Sequence, residues 1–257
     1  MRWGRRPGAG LLACQLVAAL GACTGASEHP SAPKAAPVDA SRVQQPAAQD
    51  GNRDLACLRQ LDDQAIPYKT ASAAGGMRTP VEITGPIGGV ALVARGRRAA
   101  VMDCMLASAL AKAGGVFQEL GVTALAFSAA FDHRTRRGST EPSGHAYGLA
   151  IDVHTIRGIF GEYDVRQKFE RGVGLWRGLD RDSGALEACV GHPATHEGRL
   201  LRQLACRLKL HPAFRVIVTP DDDADHQDHL HLEARATFFP PPPNSRENGQ
   251  DARRRRR

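Results

Sequence analysis

Apolar residues between positions 54 and 236 follow two spacings, and each predicts its own kind of element. Leu55, Leu58 and Leu61 recur every third residue, which predicts a short amphipathic helix over 54–65 that stops near Pro67. Met102, Met105, Leu106, Ala109 and Leu110 form one stripe and predict a helix over 97–112; Gly114-Gly115 kinks or ends it before a last turn to Leu120. Leu200, Leu201, Leu204 and Leu208 mark another helix over 196–210, and a less regular one is expected around 166–177. Strands are expected over 81–84, 89–93, 122–128, 148–155, 214–219 and 228–236. Residues 70–80 and 131–142 read as loops. Short strands that can join as hairpins, with helices set apart from them, predict an α+β single domain with a small, mainly antiparallel sheet flanked by helices.

The ends of the chain differ from this middle. Arg2, Arg5 and Arg6 precede an apolar stretch from Leu11 to Leu20 that is too short to span a bilayer, the pattern of an export signal. The segment Leu20-Gly21-Ala22-Cys23 resembles a bacterial lipobox, which implies cleavage before Cys23 and lipidation of that residue; an ordinary signal peptide cleaved nearby is the other reading. Thr24 stands where inner-membrane lipoproteins often carry Asp, so the expected location is the cell envelope, on the periplasmic side and anchored at the outer membrane. Residues 23–52, rich in Ala, Pro, Ser and Gln, read as a disordered linker, and 241–257 as a disordered tail ending in five arginines. The expected organisation is therefore signal 1–22, linker 23–52, folded domain 53–240 and tail 241–257.

This partition changes the meaning of the charge. The net +7 divides into +3 on the signal and +4 on residues 241–257, which leaves residues 23–240 near neutral. The folded part is thus no specific nucleic-acid binder by charge. Cys57, Cys104, Cys189 and Cys206 lie within it. An even count in an exported chain implies disulfides, with three possible connectivities. Without a Cys-x-x-Cys spacing they are poor metal ligands.

The chemistry concentrates in two runs. One is Asp225-His226-Gln227-Asp228-His229-Leu230-His231-Leu232-Glu233; the other is Ser143-Gly144-His145-Ala146-Tyr147-Gly148-Leu149-Ala150-Ile151-Asp152. Period two puts His229, His231 and Glu233 on one face of the last strand, with Leu230 and Leu232 on the other. In the upstream strand Asp152 and His154 share the polar face. If the two strands are neighbours, Asp152 and His231 converge, and His145 can fold over the same point. A single histidine is more often hydrogen-bonded than ligating, but this combination offers His, Asp and His to one divalent cation, as in catalytic zinc sites with an open position. His226 or His229 would then move a proton or orient a ligand, Asp228 or Glu233 would hold an imidazole tautomer, and Arg134 or Arg136 would stabilise an oxyanion or grip a substrate carboxylate. His133, His154, His192, His196 and His211 read as non-ligands. No nucleophile elbow is present.

The Ser-x-His-x-x-Gly-x-Ala-x-Asp run followed downstream by His-x-His resembles the zinc D,D-peptidases of the lysostaphin/D-alanyl-D-alanine peptidase/hedgehog fold group. Cys57-Leu58-x-x-Leu61, Arg78-Thr79-Pro80-Val81, Asp103-Cys104, the His145 run and His226-x-Asp228-His229-x-His231 are similar to the bacterial extensin-like C-terminal domain family over most of residues 54–235. The resemblance implies a hedgehog/D,D-peptidase-like fold, Zn2+ held by His145, Asp152 and His231, and His229 and His226 in catalysis or in support of it; Arg134 joins them as a catalytic candidate on its charge alone. Together with segment proximity it pairs Cys57 with Cys104 and Cys189 with Cys206. The implied partner is peptidoglycan or another wall polymer, met by a monomer tethered to the membrane through Cys23. Two departures stand out. The family's cysteines in the Gly75-Gly76 turn and near His133 are missing, and the Glu that some members place before the last His is replaced by Asp228 and His229. A non-catalytic, zinc-containing wall or polysaccharide module is the alternative to a hydrolase.

Overall fold

In the computed structural model, residues 54–72, 75–96, 98–175 and 184–236 are described. The expected signal, Cys23, the linker and the arginine tail lie outside them. The chain runs α1 (Leu55–Asp63), β1 (Tyr68–Thr70), β2 (Pro80–Ile83), β3 (Ala91–Ala94), β4 (Ala100–Asp103), α2 (Cys104–Lys112), α3 (Gly114–Glu119) and β5 (Val122–Phe127). A 3-10 turn (Gly144–Tyr147) leads into β6 (Ala150–Gly158), β7 (Gly161–Asp164), α4 (Val165–Lys168), α5 (Ala185–Val190), α6 (His196–Leu210) and β8 (Phe214–Val218). A second 3-10 turn (Ala224–His226) precedes β9 (Leu230–Ala234). The described helices include none long and apolar enough to cross a membrane.

The α+β class is as expected, with two sheets in place of one. A small antiparallel sheet has the order β1-β2-β4. The larger sheet has the order β3-β5-β6-β9-β8 and is antiparallel except for the β3–β5 pair. Strand β6 is long enough to take two partners in succession. Its first half, Ala150 to Val153, pairs with β9, and its second half, Thr155 to Gly158, pairs with β7. Helices α2, α3 and α6 pack on β9, β5 and β8 respectively. The apolar alternates Ile151, Val153, Leu230 and Leu232 are buried in one cluster with Leu106, Leu110, Phe117, Leu201 and Leu204. Strands β6 and β9 thus give their apolar side to the common core and keep their polar side for the site.

The helix expected from 97 begins only at Cys104. The residues before it form β4, whose Val81↔Met102 and Pro80↔Asp103 pairings join it to β2. Asp103 makes the break: its carboxylate accepts from the N–H of Met105 as the helix cap and from the N–H groups of Arg78 and Thr79 across the turn. Met102 enters the core from a strand. The helix expected around 166–177 is one turn, α4, capped by Asp164; residues 176–183 lie outside the described ones. Strands β1 and β7 and helix α5 have no counterpart among the expected elements.

Two disulfides have the expected pairing. Cys57–Cys104 ties α1 to α2, and Cys189–Cys206 ties α5 to α6. A Cβ added at Gly75 would meet the His133 ring at 2.6 Å. The Gly75-Gly76 turn and His133 are therefore neighbours.

Candidate metal centre

The register of β6 against β9 builds the site. Asp152 lies directly opposite His231, and Ala150 opposite Glu233. His145 comes from the 3-10 turn before β6. Gly148 closes that turn at φ 63, donating its N–H to the His145 carbonyl. A Cβ at Gly148 would meet Met77 and the Asp103 nitrogen at 2.6–2.7 Å, so both conformation and space require glycine.

His145, Asp152 and His231 converge as the sequence predicts and could hold a metal ion. His145 Nε2 is 3.1 Å from Asp152 Oδ1 and 3.1 Å from His231 Nδ1, and His231 Nδ1 is 3.0 Å from Asp152 Oδ1. All three residues are buried. With Asp152 ionised, no placement of protons on the two rings makes all three contacts hydrogen bonds. With both ring nitrogens protonated, two N–H groups face each other; with one protonated, the other nitrogen and the carboxylate oxygen oppose lone pairs. A cation makes every edge favourable. A tetrahedral centre with bonds of about 2.0–2.2 Å spaces its ligand atoms roughly 3.3–3.6 Å apart. Shifts of a few tenths of an ångström bring this triangle to that spacing.

The surrounding charges fit the same use. Burial alone would raise the Asp152 carboxyl, but hydrogen bonds from His145 and His231 and their charges outweigh it and hold the group far below the usual carboxylate range. Burial pushes His145 below the ordinary imidazole value against the pull of Asp152. His231 goes the other way: burial opposes its charge, but Asp152 and Glu233 together raise it. Glu233 Oε2 is 3.6 Å from His231 Nε2, and Arg215 binds Oε1 of the same carboxylate. Gly144 leaves room for that carboxylate, since a Cβ there would meet Glu233 Oε2 at 2.9 Å.

The other predicted residues surround a cavity of about 460 Å³ that opens over the triangle. Arg134 places a guanidinium nitrogen 2.8 Å from Asp152 Oδ2. His229 Nε2 is 3.5 Å from Asp152 Oδ1, and its Nδ1 is 2.7 Å from Asp228 Oδ1. His226 lies on the second 3-10 turn, its ring centroid 5.0 Å from that of His229 and 5.7 Å from that of His231. Val216 and Val218 of β8 supply an apolar wall, and Arg137 reaches Asp225 in an exposed ion pair. Arg136 also lines the cavity and lies 3.9 Å from Glu141.

Two participants escaped the sequence reading. Asp223 Oδ1 accepts from the N–H groups of Asp225 and His226 and lies 2.7 Å from His226 Nδ1. A cap residue three positions before a histidine was the available signal. His154, read as isolated, packs its ring 5.1 Å from that of His229. The β6–β9 pairing ends at Val153 and Leu230, so His154, still in β6, and His229, just before β9, come next to each other. No strand-by-strand reading of the sequence exposes that juxtaposition.

Compared with protein-family models, with curated proteins and with solved structures, the chain matches none.

Proposed function

We propose that this protein is an exported zinc-dependent hydrolase of amide bonds in wall peptides, of the D,D-carboxypeptidase or endopeptidase type. The observation that carries the reading is the buried His145–Asp152–His231 triangle, which protons cannot satisfy, at the base of an open cavity. Two imidazoles and one carboxylate with a side left open are the donor set of catalytic zinc. Zinc bound there would polarise a scissile carbonyl and acidify a water.

The chain's own residues supply the rest. His229 turns Nε2 toward the triangle while its Nδ1 is engaged by Asp228, so it is placed to accept a proton and return it to the leaving amine. His226, oriented by Asp223, is a second proton carrier at the cavity wall. Arg134 holds a fixed positive charge beside Asp152, suited to a developing oxyanion. The cell envelope as location rests on the lipobox-like Cys23 and gains support from two disulfides, which persist in oxidising compartments. Peptidoglycan as substrate follows from that location and from the resemblance of the two histidine runs.

The test is zinc analysis of the full chain and incubation with muropeptides, with His231→Ala as control. The expected result is one zinc per chain and cleavage that the variant loses. Zinc retained without cleavage of any muropeptide replaces the hydrolase by a wall-binding module, and no zinc removes the site assignment.

A further inference from the structure

A second group, His154, Asp228 and His229, also gathers possible ligand atoms within 4.8 Å of one another. Unlike the triangle, it is fully satisfied by protons. His154 Nδ1 lies 3.1 Å from the Asp228 carbonyl, which can only accept, so Nδ1 carries the proton. His154 Nε2 then accepts from the Ser128 hydroxyl at 2.7 Å. His229 donates its Nδ1–H to Asp228 Oδ1 at 2.7 Å. Arg166 stands 3.7 Å from Asp228 Oδ2, where it opposes a further cation. Every donor has an acceptor, and a metal here would have to displace bonds already made.

We propose that His154 is a positioning residue. Anchored by Ser128, it clamps the backbone of Asp228, and the clamped Asp228 carboxylate fixes the His229 ring as the Nδ1–H tautomer, with Nε2 3.5 Å from Asp152 Oδ1. The geometry gives the clamp its purpose. His229 and Asp228 precede β9, beyond the last paired residue Leu230, so no ladder hydrogen bond to β6 holds them. His154, still within β6, reaches past the end of the ladder and supplies the missing link. Residues that orient a proton-carrying or ligating imidazole commonly change affinity or rate about 10–100-fold when removed.

The kinetic consequence rests on the hydrolase reading; the tautomer does not. The experiment is nitrogen NMR of the full chain labelled with 15N-histidine, with the His229 signals assigned from His229→Gln. His154→Asn, whose amide can replace the Nδ1 donor, is expected to keep His229 as the Nδ1–H tautomer, as in the unsubstituted chain. His154→Leu is expected to give a tautomer mixture. Zinc titration should give one equivalent in all three proteins. On muropeptides, His154→Leu should lower kcat about 10–100-fold with KM little changed, and His154→Asn should restore most of the loss. An Nε2–H tautomer in the unsubstituted chain, an unchanged tautomer in a folded His154→Leu, or a second zinc equivalent that His154→Leu removes would each overturn the proposal. If His154→Leu does not fold, Ser128→Ala cuts the outer link of the same chain; a tautomer mixture there supports the clamp, and an unchanged tautomer overturns it. If the unsubstituted protein cleaves nothing, the hydrolase reading falls while the tautomer still decides the role of His154.

Discussion

Each histidine of the 226–231 run has its own carboxylate: Asp223 for His226, Asp228 for His229 and Glu233 for His231. The pairing gives three otherwise similar side chains different surroundings. A carboxylate on one ring nitrogen leaves the other free for a cation or a proton, and raises its basicity. Glu233 offers the plainest test, since it touches His231 from the side away from the triangle. Glu233→Gln keeps the shape but removes the charge and the Arg215 ion pair. It should weaken zinc binding about 10–100-fold, read by competition with a chromophoric chelator; unchanged affinity would mean that His231 needs no orienting partner.

At the level of elements, the parts legible in the sequence were those with a long, regular period. Helix α6 and strands β5, β8 and β9 lie where their spacing puts them, β6 runs three residues beyond its expected end at Thr155, and alternation alone divides Asp152 and His231 from Ile151 and Leu232. Residues 100–103 were misread because Met102 continues the stripe of α2, while the decisive signal, Asp103 as cap, looks like any polar interruption. Strands β1 and β7, at three and four residues, are too short to show a period. Long-range partners were hidden for another reason: they depend on register. Arg202 is the sharpest case. It is fully buried in α6, donates to the carbonyls of Cys189, Val190 and Glu170, and pairs with Asp221 at 2.6 Å. It joins α5, the segment after α4 and the turn after β8. Arg202→Met removes one partner of a buried pair and orphans three carbonyls, so it should cost about 3–5 kcal/mol in urea unfolding. A loss below about 1 kcal/mol would mean that this junction bears no weight.

For the molecule as a whole, the carboxylates around the histidines set the response to acid. Asp152, Asp223, Asp228 and Glu233 are all held below their ordinary values; burial opposes this in each, and the histidines, with Arg215 at Glu233, outweigh it. A depressed carboxylate contributes stability that is present above its unfolded pKa and lost as pH falls toward the folded one, because the unfolded chain takes up the protons first. His145 and His154, lowered by burial, act in the same direction from about pH 6.5 downward, while His231 and Asp103, both raised, oppose. The carboxylates predominate in number. The urea midpoint of the zinc-free protein should therefore fall steadily between about pH 5 and pH 3; a flat or rising midpoint would show that the histidine–carboxylate pairs are not formed in solution.

The place of β9 in the sheet has a consequence in time. It is the last described element of the chain, yet it sits between β6 and β8. His231 meets its partners across 79 and 86 residues of sequence. Contacts of such separation form late and slowly. A chain emerging N-terminus first can assemble α1 to α6 with two of the three candidate ligands in place, but the third arrives only with the strand that closes the sheet. The group that could hold a metal is thereby incomplete until this last strand has docked.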